Sequence, residues 1–254
     1  MKKIILSVAV LAMVLVACKK EETKPSDSTT SSSSAKILKE TEYSITNDTI
    51  FSDSSITVYA YDSKGRLISQ TGKFSKDTYE YNSANLITHI SNYNNPNNNV
   101  LESNTNKYIL DSKGLVIKYV SQGEFKDTLH ISYSADGFMK SYKIGEKTYE
   151  LNIETKGDNI IKQDNSTFEY YLDKTSTIRS MNRGINFYGK DSKNLVKSEK
   201  FTSTDPNGVT TTSEYTYTYE FDSKNRVVKS IRTQVNSGNY LGSYKTITKY
   251  QYTN

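Results

Sequence analysis

A short turn motif returns at intervals along this chain, and it constrains the fold more than any other feature. The clearest copy reads Y-D-S-K-G-R-L at residues 61–67, and others centre on Asp-Ser-Lys at 110–116, 190–196 and 221–228. Asp at the first turn position accepts a backbone hydrogen bond from two residues on, and Gly or Asn at the fourth tolerates a positive φ. Such a turn joins two antiparallel strands in a bulged hairpin. The residues predicted to build these turns are Asp62, Gly65, Asp111, Gly114, Asp191, Asn194, Asp222 and Asn225.

The segments around the turns alternate apolar or aromatic residues with polar ones, as in I-T-V-Y-A-Y at 56–61 and Y-T-Y-T-Y-E-F at 215–221. This period of two is typical of β-strands. Looser turn copies occur near residues 85, 137 and 157, and the spacing leaves room for two strands of ~7–8 residues between turns. The chain therefore predicts an all-β, antiparallel up-and-down meander of about 14–16 strands.

A sheet of this size either curls or stays open. Ile56 and Val58 should face one side of their strand and Tyr59 and Tyr61 the other, so both faces carry apolar groups. Open twisted sheets rarely exceed ~10 strands without curling. Residues 37–254 are thus predicted to form one β-repeat domain curled into a barrel or half-barrel. An open twisted sheet or solenoid is the alternative.

The turn unit resembles the tyrosine-aspartate repeat (YD, or RHS-type), whose core reads Y-x-Y-D-x-x-G-R-L. Residues 58–67 match this core closely, and residues 220–227 match it with Phe for Tyr and Asn for Gly. In large toxins such repeats wind into shells around cargo. This chain is too short to enclose a protein, so the resemblance implies a β-repeat architecture only.

The N-terminus carries signals for export and anchoring. Lys2 and Lys3 precede an apolar run at 4–16, which is shorter than the ~20 residues that a spanning helix needs and is typical of a signal peptide. The run ends in L-V-A-C at 15–18, which resembles the lipobox of bacterial lipoproteins. The resemblance implies a signal peptide at 1–17, a lipid on Cys18 and a flexible Ser/Thr-rich tether at 18–36.

The residues after the cysteine bear on the side of the membrane. Lys20, Glu21 and Glu22 resemble the surface-export signal of Bacteroidetes lipoproteins, which implies an outer-membrane protein displayed on the cell surface. The alternative is a plain charged tether on a periplasm-facing protein. Together with the repeats, these features resemble uncharacterised Bacteroidetes lipoproteins with a porin-like fold, a family that brings no known activity.

Candidate chemistry is sparse. The 33 basic residues are scattered among 28 acidic ones, so nucleic acid is not an expected partner. No catalytic motif occurs, and the single cysteine is assigned to the lipid. His89 and His130 are isolated and are predicted to lie on strand surfaces rather than to bind metal. Each turn Asp offers one carboxylate, too few for calcium. Neither an enzyme nor a cofactor is expected.

One aromatic stripe is a candidate ligand face. Tyr215, Tyr217 and Tyr219 should share one side of a strand and could stack on a sugar ring or a peptide; ordinary cross-strand packing is the alternative. The predicted function is non-catalytic binding or scaffolding by a lipid-anchored envelope protein, with an extracellular glycan or protein as ligand. The alternatives are a degradative envelope enzyme with interior carboxylates, or a carrier of an apolar molecule.

The anchor can be tested by one substitution. Cys18→Ser should release the protein from membranes or block its maturation, because only the cysteine can accept the lipid and stable anchoring needs two or more acyl chains. Membrane fractionation and mass spectrometry of the mature protein measure this outcome. An unchanged membrane fraction with an unchanged mature mass would contradict lipidation.

Overall fold

The structure is a computed structural model of the full chain. It describes residues 35–46, 49–50, 54–94, 100–122, 128–205, 208–237 and 242–253. The predicted lipid site Cys18 and the export signal at 20–22 lie outside these residues. In the part described, no helix is both long enough and apolar enough to cross a membrane.

The described residues form 18 β-strands and one short 3₁₀ helix. The first nine strands are β1 (Ile37–Thr46), β2 (Thr49–Ile50), β3 (Ser55–Tyr61), β4 (Leu67–Thr71), β5 (Ser75–Ser83), β6 (Leu86–Asn94), β7 (Leu101–Leu110), β8 (Val116–Ser121) and β9 (Thr128–Tyr133). The other nine are β10 (Met139–Ile144), β11 (Lys147–Glu150), β12 (Ile153–Lys156), β13 (Asn159–Gln163), β14 (Ser166–Thr175), β15 (Asn194–Thr204), β16 (Thr210–Phe221), β17 (Val227–Ser237) and β18 (Gly242–Tyr252). The 3₁₀ helix spans Ser180–Arg183.

All strands belong to one antiparallel sheet. From β12 to β18 each strand pairs with the next one along the chain, and the same holds from β3 to β11. The first strand, β1, joins these two runs because it pairs with both β18 and β3. Residues 151 and 152 alone separate β11 from β12. In the described residues β11 pairs with β10 and β12 pairs with β13, and no ladder joins β11 to β12. The sheet is therefore curled on itself but is not closed into a barrel. The predicted curled meander is confirmed, with more strands than expected.

The two faces of the sheet differ sharply. On β3, Tyr59 is 4% exposed and its neighbour Val58 is 44% exposed, so the tyrosine face is the inner one. Inner residues of neighbouring strands form two groups of buried side chains, which share Tyr79 and Ile185 at their margins. Their buried members are Ile37, Tyr59, Leu67, Leu195, Val227 and Tyr250 in the first group, and Ile87, Tyr108, Val116, Ile131 and Phe187 in the second.

The repeated turns share one hydrogen-bond pattern. The Asp62 carboxylate accepts bonds from the N–H groups of Lys64 and Arg66, each at 2.9 Å, and the Asp62 carbonyl accepts the N–H of Gly65 at 2.9 Å. Gly65 has a φ of 71°. The same contacts recur in the turns that begin at Asp111 and Asp222, whose fourth residues, Gly114 and Asn225, have φ values of 81° and 57°.

Tyrosine hydroxyls link each turn to the next strand of the sheet. Each donates to the carbonyl of the first residue of the neighbouring outgoing strand, in the pairs Tyr61–Ile37, Tyr81–Leu67 (3.1 Å), Tyr133–Val116 (2.9 Å) and Tyr252–Val227 (2.8 Å). The turn arginines add a second link. The Arg66 guanidinium bonds to Asp62 at 2.7 Å and lies 4.0 Å from the centre of the Tyr81 ring. The conserved spacing of Tyr, Asp, Arg and Leu in the motif thus has a direct structural basis.

The copy at Asp191 and Asn194 does not form a hairpin turn, contrary to its sequence. Its Asp191 carboxylate accepts the N–H of Ser180 at 2.6 Å instead of its own turn amides. Asn194 is the buried first residue of β15. Its backbone N–H donates to Asn159 Oδ1 at 2.9 Å, and its Oδ1 accepts a bond from Asn159 Nδ2 at 3.0 Å. The chain between β14 and β15 is a long connection, here named the plug segment (residues 176–193).

The plug segment lies across the end of the sheet that carries the repeated turns. At three turns it accepts a hydrogen bond from the backbone N–H of the first residue of the strand that follows the turn. The Gly184 carbonyl accepts from Leu67 (3.4 Å), the Phe187 carbonyl from Val116 (2.8 Å) and Thr177 Oγ1 from Val227 (2.9 Å). At each of these turns the strand register shifts by one residue. The approach is close, since a Cβ on Gly184 would lie 2.7 Å from the Leu67 nitrogen. The bulged turns thus supply donors that the plug segment satisfies.

The positive-φ turn positions can be tested by substitution. Gly114→Val should lower the free energy of unfolding by about 1–2 kcal/mol, because a β-branched residue is strained at this φ and no heavy atom lies within 4 Å of the added Cβ to relieve or worsen the strain. Gly65→Val should lower the free energy of unfolding by a similar amount. Gly114→Asn is the matched control, with a smaller loss, because Asn225 occupies the equivalent position. Urea unfolding measures the series, and equal stability of Gly114→Val and wild type would refute the turn geometry.

Candidate functional site

The inner face becomes polar with distance from the plugged end. On β17 the inward series begins with buried Val227 and continues with Ser230, Arg232 and Gln234, whose neighbours across the ladder on β18 include Thr246 and Thr248. Small hydroxyl side chains at these positions leave space that tyrosines fill elsewhere in the sheet. The space is a cavity of about 390 Å³ between the plug segment and the inner faces of β1 and β15–β18. Its volume lies near the lower end of the roughly 300–1,000 Å³ typical of small-molecule sites.

The cavity is lined by hydroxyl and charged groups together with the apolar side chains of Ile178, Leu195 and Val196. The hydroxyl groups belong to Ser176, Ser180, Ser192, Ser230, Thr246, Thr248, Tyr217, Tyr219 and Tyr250. Arg179, Arg183 and Asp191 enter from the plug segment, and Glu42 and Arg232 enter from the sheet. Such a lining can hydrogen-bond a polar molecule and carries three cations that face it.

One of these cations is held by the fold. The Arg183 Nε donates to Glu40 on β1 at 2.6 Å, and its Nη1 donates to the Ile178 carbonyl at 2.7 Å. Burial alone would lower the pKa of Arg183, but the charge and hydrogen bond of Glu40 outweigh it and raise the pKa, so this guanidinium stays charged. Burial, followed by the Glu40 charge, raises the pKa of neighbouring Tyr59 to about 12. The pair fixes the plug segment to the first strand.

The other two cations have no carboxylate partner in the described part of the chain. The Arg179 Nε is buried and, within those same residues, has no hydrogen-bond partner. Leaving a buried donor without a hydrogen bond costs about 1–3 kcal/mol, so such a group is an exception that needs an explanation. Arg232 makes one long bond, from Nη2 to Thr246 Oγ1 at 3.4 Å, and lies 5.7 Å from the Tyr215 ring centre.

The predicted ligand face lies on the inner side of β16, and two of its three tyrosines line the cavity. The Tyr217 hydroxyl donates to Glu199 at 3.2 Å and the Tyr219 hydroxyl to the Val196 carbonyl at 2.8 Å, so both also have structural contacts. Tyr215 lies outside the cavity, in a recess between β14, β15 and β16. Ligand binding by this stripe stays a prediction.

His89 is not on a strand surface as its sequence context suggested. It faces inward, its Nε2 lies 3.1 Å from Asp77 Oδ1, and its Nδ1 lies 2.9 Å from the Tyr108 hydroxyl. Its ring also stacks on Tyr79, with ring centres 4.7 Å apart. Because both ring nitrogens are occupied and Tyr108 is only 3% exposed, this network orders the core. In the described residues, no group of three or more His, Cys, Asp or Glu side chains is placed to hold a metal ion.

Sequence reasoning did not identify the plug arginines as site residues. Residues 166–185 match the repeat poorly, and that mismatch was the available signal for a segment that leaves the meander. The partner of Arg183 lies 143 residues away on β1, so local patterns carry no trace of the pair.

Comparison with known proteins gives similarity of fold only. No family profile and no curated protein matches this chain. Among solved structures, a porin-like protein from Bacteroides uniformis is similar, with 18% sequence identity over 85% of this chain and 98% of that protein, and a TM-score of 0.59. A porin-like protein from Bacteroides vulgatus matches over 86% of this chain and 99% of its own, with 12% identity and a TM-score of 0.27, too low to carry an argument. The porin-like fold implied by the sequence resemblance is thus confirmed.

The Glu40–Arg183 pair predicts a strong coupling between β1 and the plug segment. Arg183→Leu should destabilise the fold by about 3 kcal/mol, at the low end for buried pairs because both side chains keep some exposure and Glu40 loses its partner. The double variant Glu40→Leu/Arg183→Leu should lose less than Arg183→Leu alone, since it leaves no unpaired charge. Chemical unfolding of wild type, both single variants and the double variant measures the coupling, and strictly additive losses would contradict the ion pair.

Proposed function

We propose that this chain is a non-catalytic binding protein of the outer membrane, anchored through lipid on Cys18 and displayed on the cell surface. Its ligand is a small polar molecule of the glycan class, held in the cavity beside the plug segment. The observation that carries the proposal is the cavity itself, a space of about 390 Å³ beside the plug segment, where hydroxyl groups, tyrosines and arginines line the wall together with a few aliphatic side chains.

The lining favours a saccharide over an apolar cargo. Sugars present rings of hydroxyl groups that need hydrogen-bond partners on several sides, and Ser230, Thr246 and Thr248 offer such partners from adjacent strands. An apolar molecule would cover Arg179 and Arg232 without offering them a hydrogen-bond acceptor, at a cost for each of them. The cavity therefore supports binding of a polar ligand better than transport of a lipid.

The carboxylates near the cavity support a binding role rather than a hydrolytic one. Glu40 is paired with Arg183, and Asp191 accepts both the N–H and the hydroxyl of Ser180. Both carboxylates therefore have fixed partners, which leaves Glu42 as the one lining carboxylate without a partner among the described residues. A glycoside hydrolase needs two available carboxyl groups that flank the scissile bond.

The envelope location is supported by the lipobox-like sequence, by the export-like residues 20–22 and by the resemblance of fold to a porin-like protein of Bacteroides uniformis. The outer side of the sheet fits an aqueous setting, since it carries ion pairs such as Lys229–Glu220 and Lys200–Glu214. Protease digestion of intact cells distinguishes surface display from a periplasm-facing protein.

A cavity-filling variant tests the proposed binding site. Thr248→Phe should abolish glycan binding, because the ring would occupy the cavity that Thr248 lines. Thr218→Phe is the matched control, since Thr218 is exposed on the outer side of β16 and should leave binding unchanged. Full-length protein in detergent, applied to a glycan array, measures both variants. Equal binding by Thr248→Phe and wild type would place the ligand elsewhere and refute this site.

A further inference from the structure

The Arg179 side chain makes no ion pair in the part of the chain that the structure describes. Its Nε is buried and lacks a hydrogen-bond partner within the described residues, while the side chain lines the cavity. Its nearest counterpart on the plug segment, Arg183, is committed to Glu40 and to the Ile178 carbonyl. The fold therefore holds one guanidinium through an ion pair, and it places the other at the cavity wall without one.

A second cation faces the same cavity. Arg232 enters from β17, and its only described hydrogen bond is the long one to Thr246. Asp191, which also lines the cavity, already accepts the N–H of Ser180 at 2.6 Å and its hydroxyl at 3.2 Å. Glu42 remains as the other acidic side chain in the lining, so the positive charge of two arginines is not matched by direct pairing.

Two guanidinium groups without a carboxylate partner at the wall of one cavity attract an anion. A guanidinium presents planar donors that match a carboxylate and bind it more strongly than a neutral oxygen. Serine and threonine hydroxyls in the same lining suit the neutral part of the same ligand. Such a combination of cations and hydroxyls is suited to a sugar acid.

We infer that the cavity binds an acidic saccharide, with the carboxylate of a uronic acid on Arg179 and Arg232 and the ring hydroxyls on the serines and threonines of β17, β18 and the plug segment. This inference rests on the proposed function and specifies its ligand class. It also assigns Arg179 as the residue that distinguishes acidic from neutral sugars.

Two disaccharides that differ in their acidic groups test the inference. Calorimetric titration of the full-length protein in detergent should show that digalacturonate binds at least 10-fold more tightly than galactobiose, its neutral counterpart. Arg179→Gln should weaken digalacturonate binding at least 10-fold and leave galactobiose binding within 2-fold. Lys249→Gln removes one positive charge from the exposed outer side of β18 and should change the affinity for neither disaccharide. Raising the salt concentration should weaken the binding of digalacturonate and leave that of galactobiose unchanged.

A second measurement separates binding from folding. Since the Arg179 Nε has no hydrogen-bond partner, Arg179→Met should melt at or above the wild-type temperature without ligand. If Arg179 stabilised the fold, the substitution would lower the melting temperature.

Equal affinity of wild type for both disaccharides, or binding unaffected by Arg179→Gln, would overturn the acidic specificity and leave the proposed function standing. Binding of either sugar that survives Thr248→Phe would overturn the proposed site as well, and absence of binding to both sugars would overturn the inference.

Discussion

The structure depends on three backbone N–H groups that the bulged turns direct away from the strand ladders, those of Leu67, Val116 and Val227. A buried amide without a partner costs about 1–3 kcal/mol, so the repeats need an element that accepts these bonds. The plug segment is that element, and its path is set by the acceptors it must bring to the turns. Because this path also carries Arg179 and Arg183 into the interior, the turn chemistry and the cavity have a common origin.

The abundance of tyrosine follows from the same repeat geometry. A tyrosine at the end of an incoming strand fills the interior with its ring and reaches the neighbouring strand with its hydroxyl, as Tyr81 and Tyr252 do. Its removal from water raises its pKa, to about 12 for Tyr252. Farther along β17 and β18 the inner face carries the smaller Ser230 and Thr248, and both line the cavity.

Features set by neighbouring residues could be predicted from the sequence, and features set by distant partners could not. The turn at Asp62 forms because its carboxylate and Gly65 act within five residues, and the curled meander follows from such turns and alternating strands. The motif at Asp191 has the same Asp-Ser-Lys sequence, yet it forms no such turn. Its carboxylate accepts the N–H of Ser180, and its Asn194 is hydrogen-bonded to Asn159. His89 likewise looked isolated, since Asp77 and Tyr108 meet it only through strand register. The sequence put the three tyrosines of β16 on one face of a strand, but only the fold shows that this face is the inner one and that arginines lie near it.

The central claim is that the plug segment is bonded to the repeated turns and closes that end of the sheet. Native-state hydrogen exchange on the amides of Leu67 and Val116 tests it most directly. The account predicts that both amides exchange as slowly as those in the middle of β6 and β7, because they are released only when the plug segment separates from the turns. Exchange as fast as that of the exposed turn amides of Ser63 and Ser112 would contradict it.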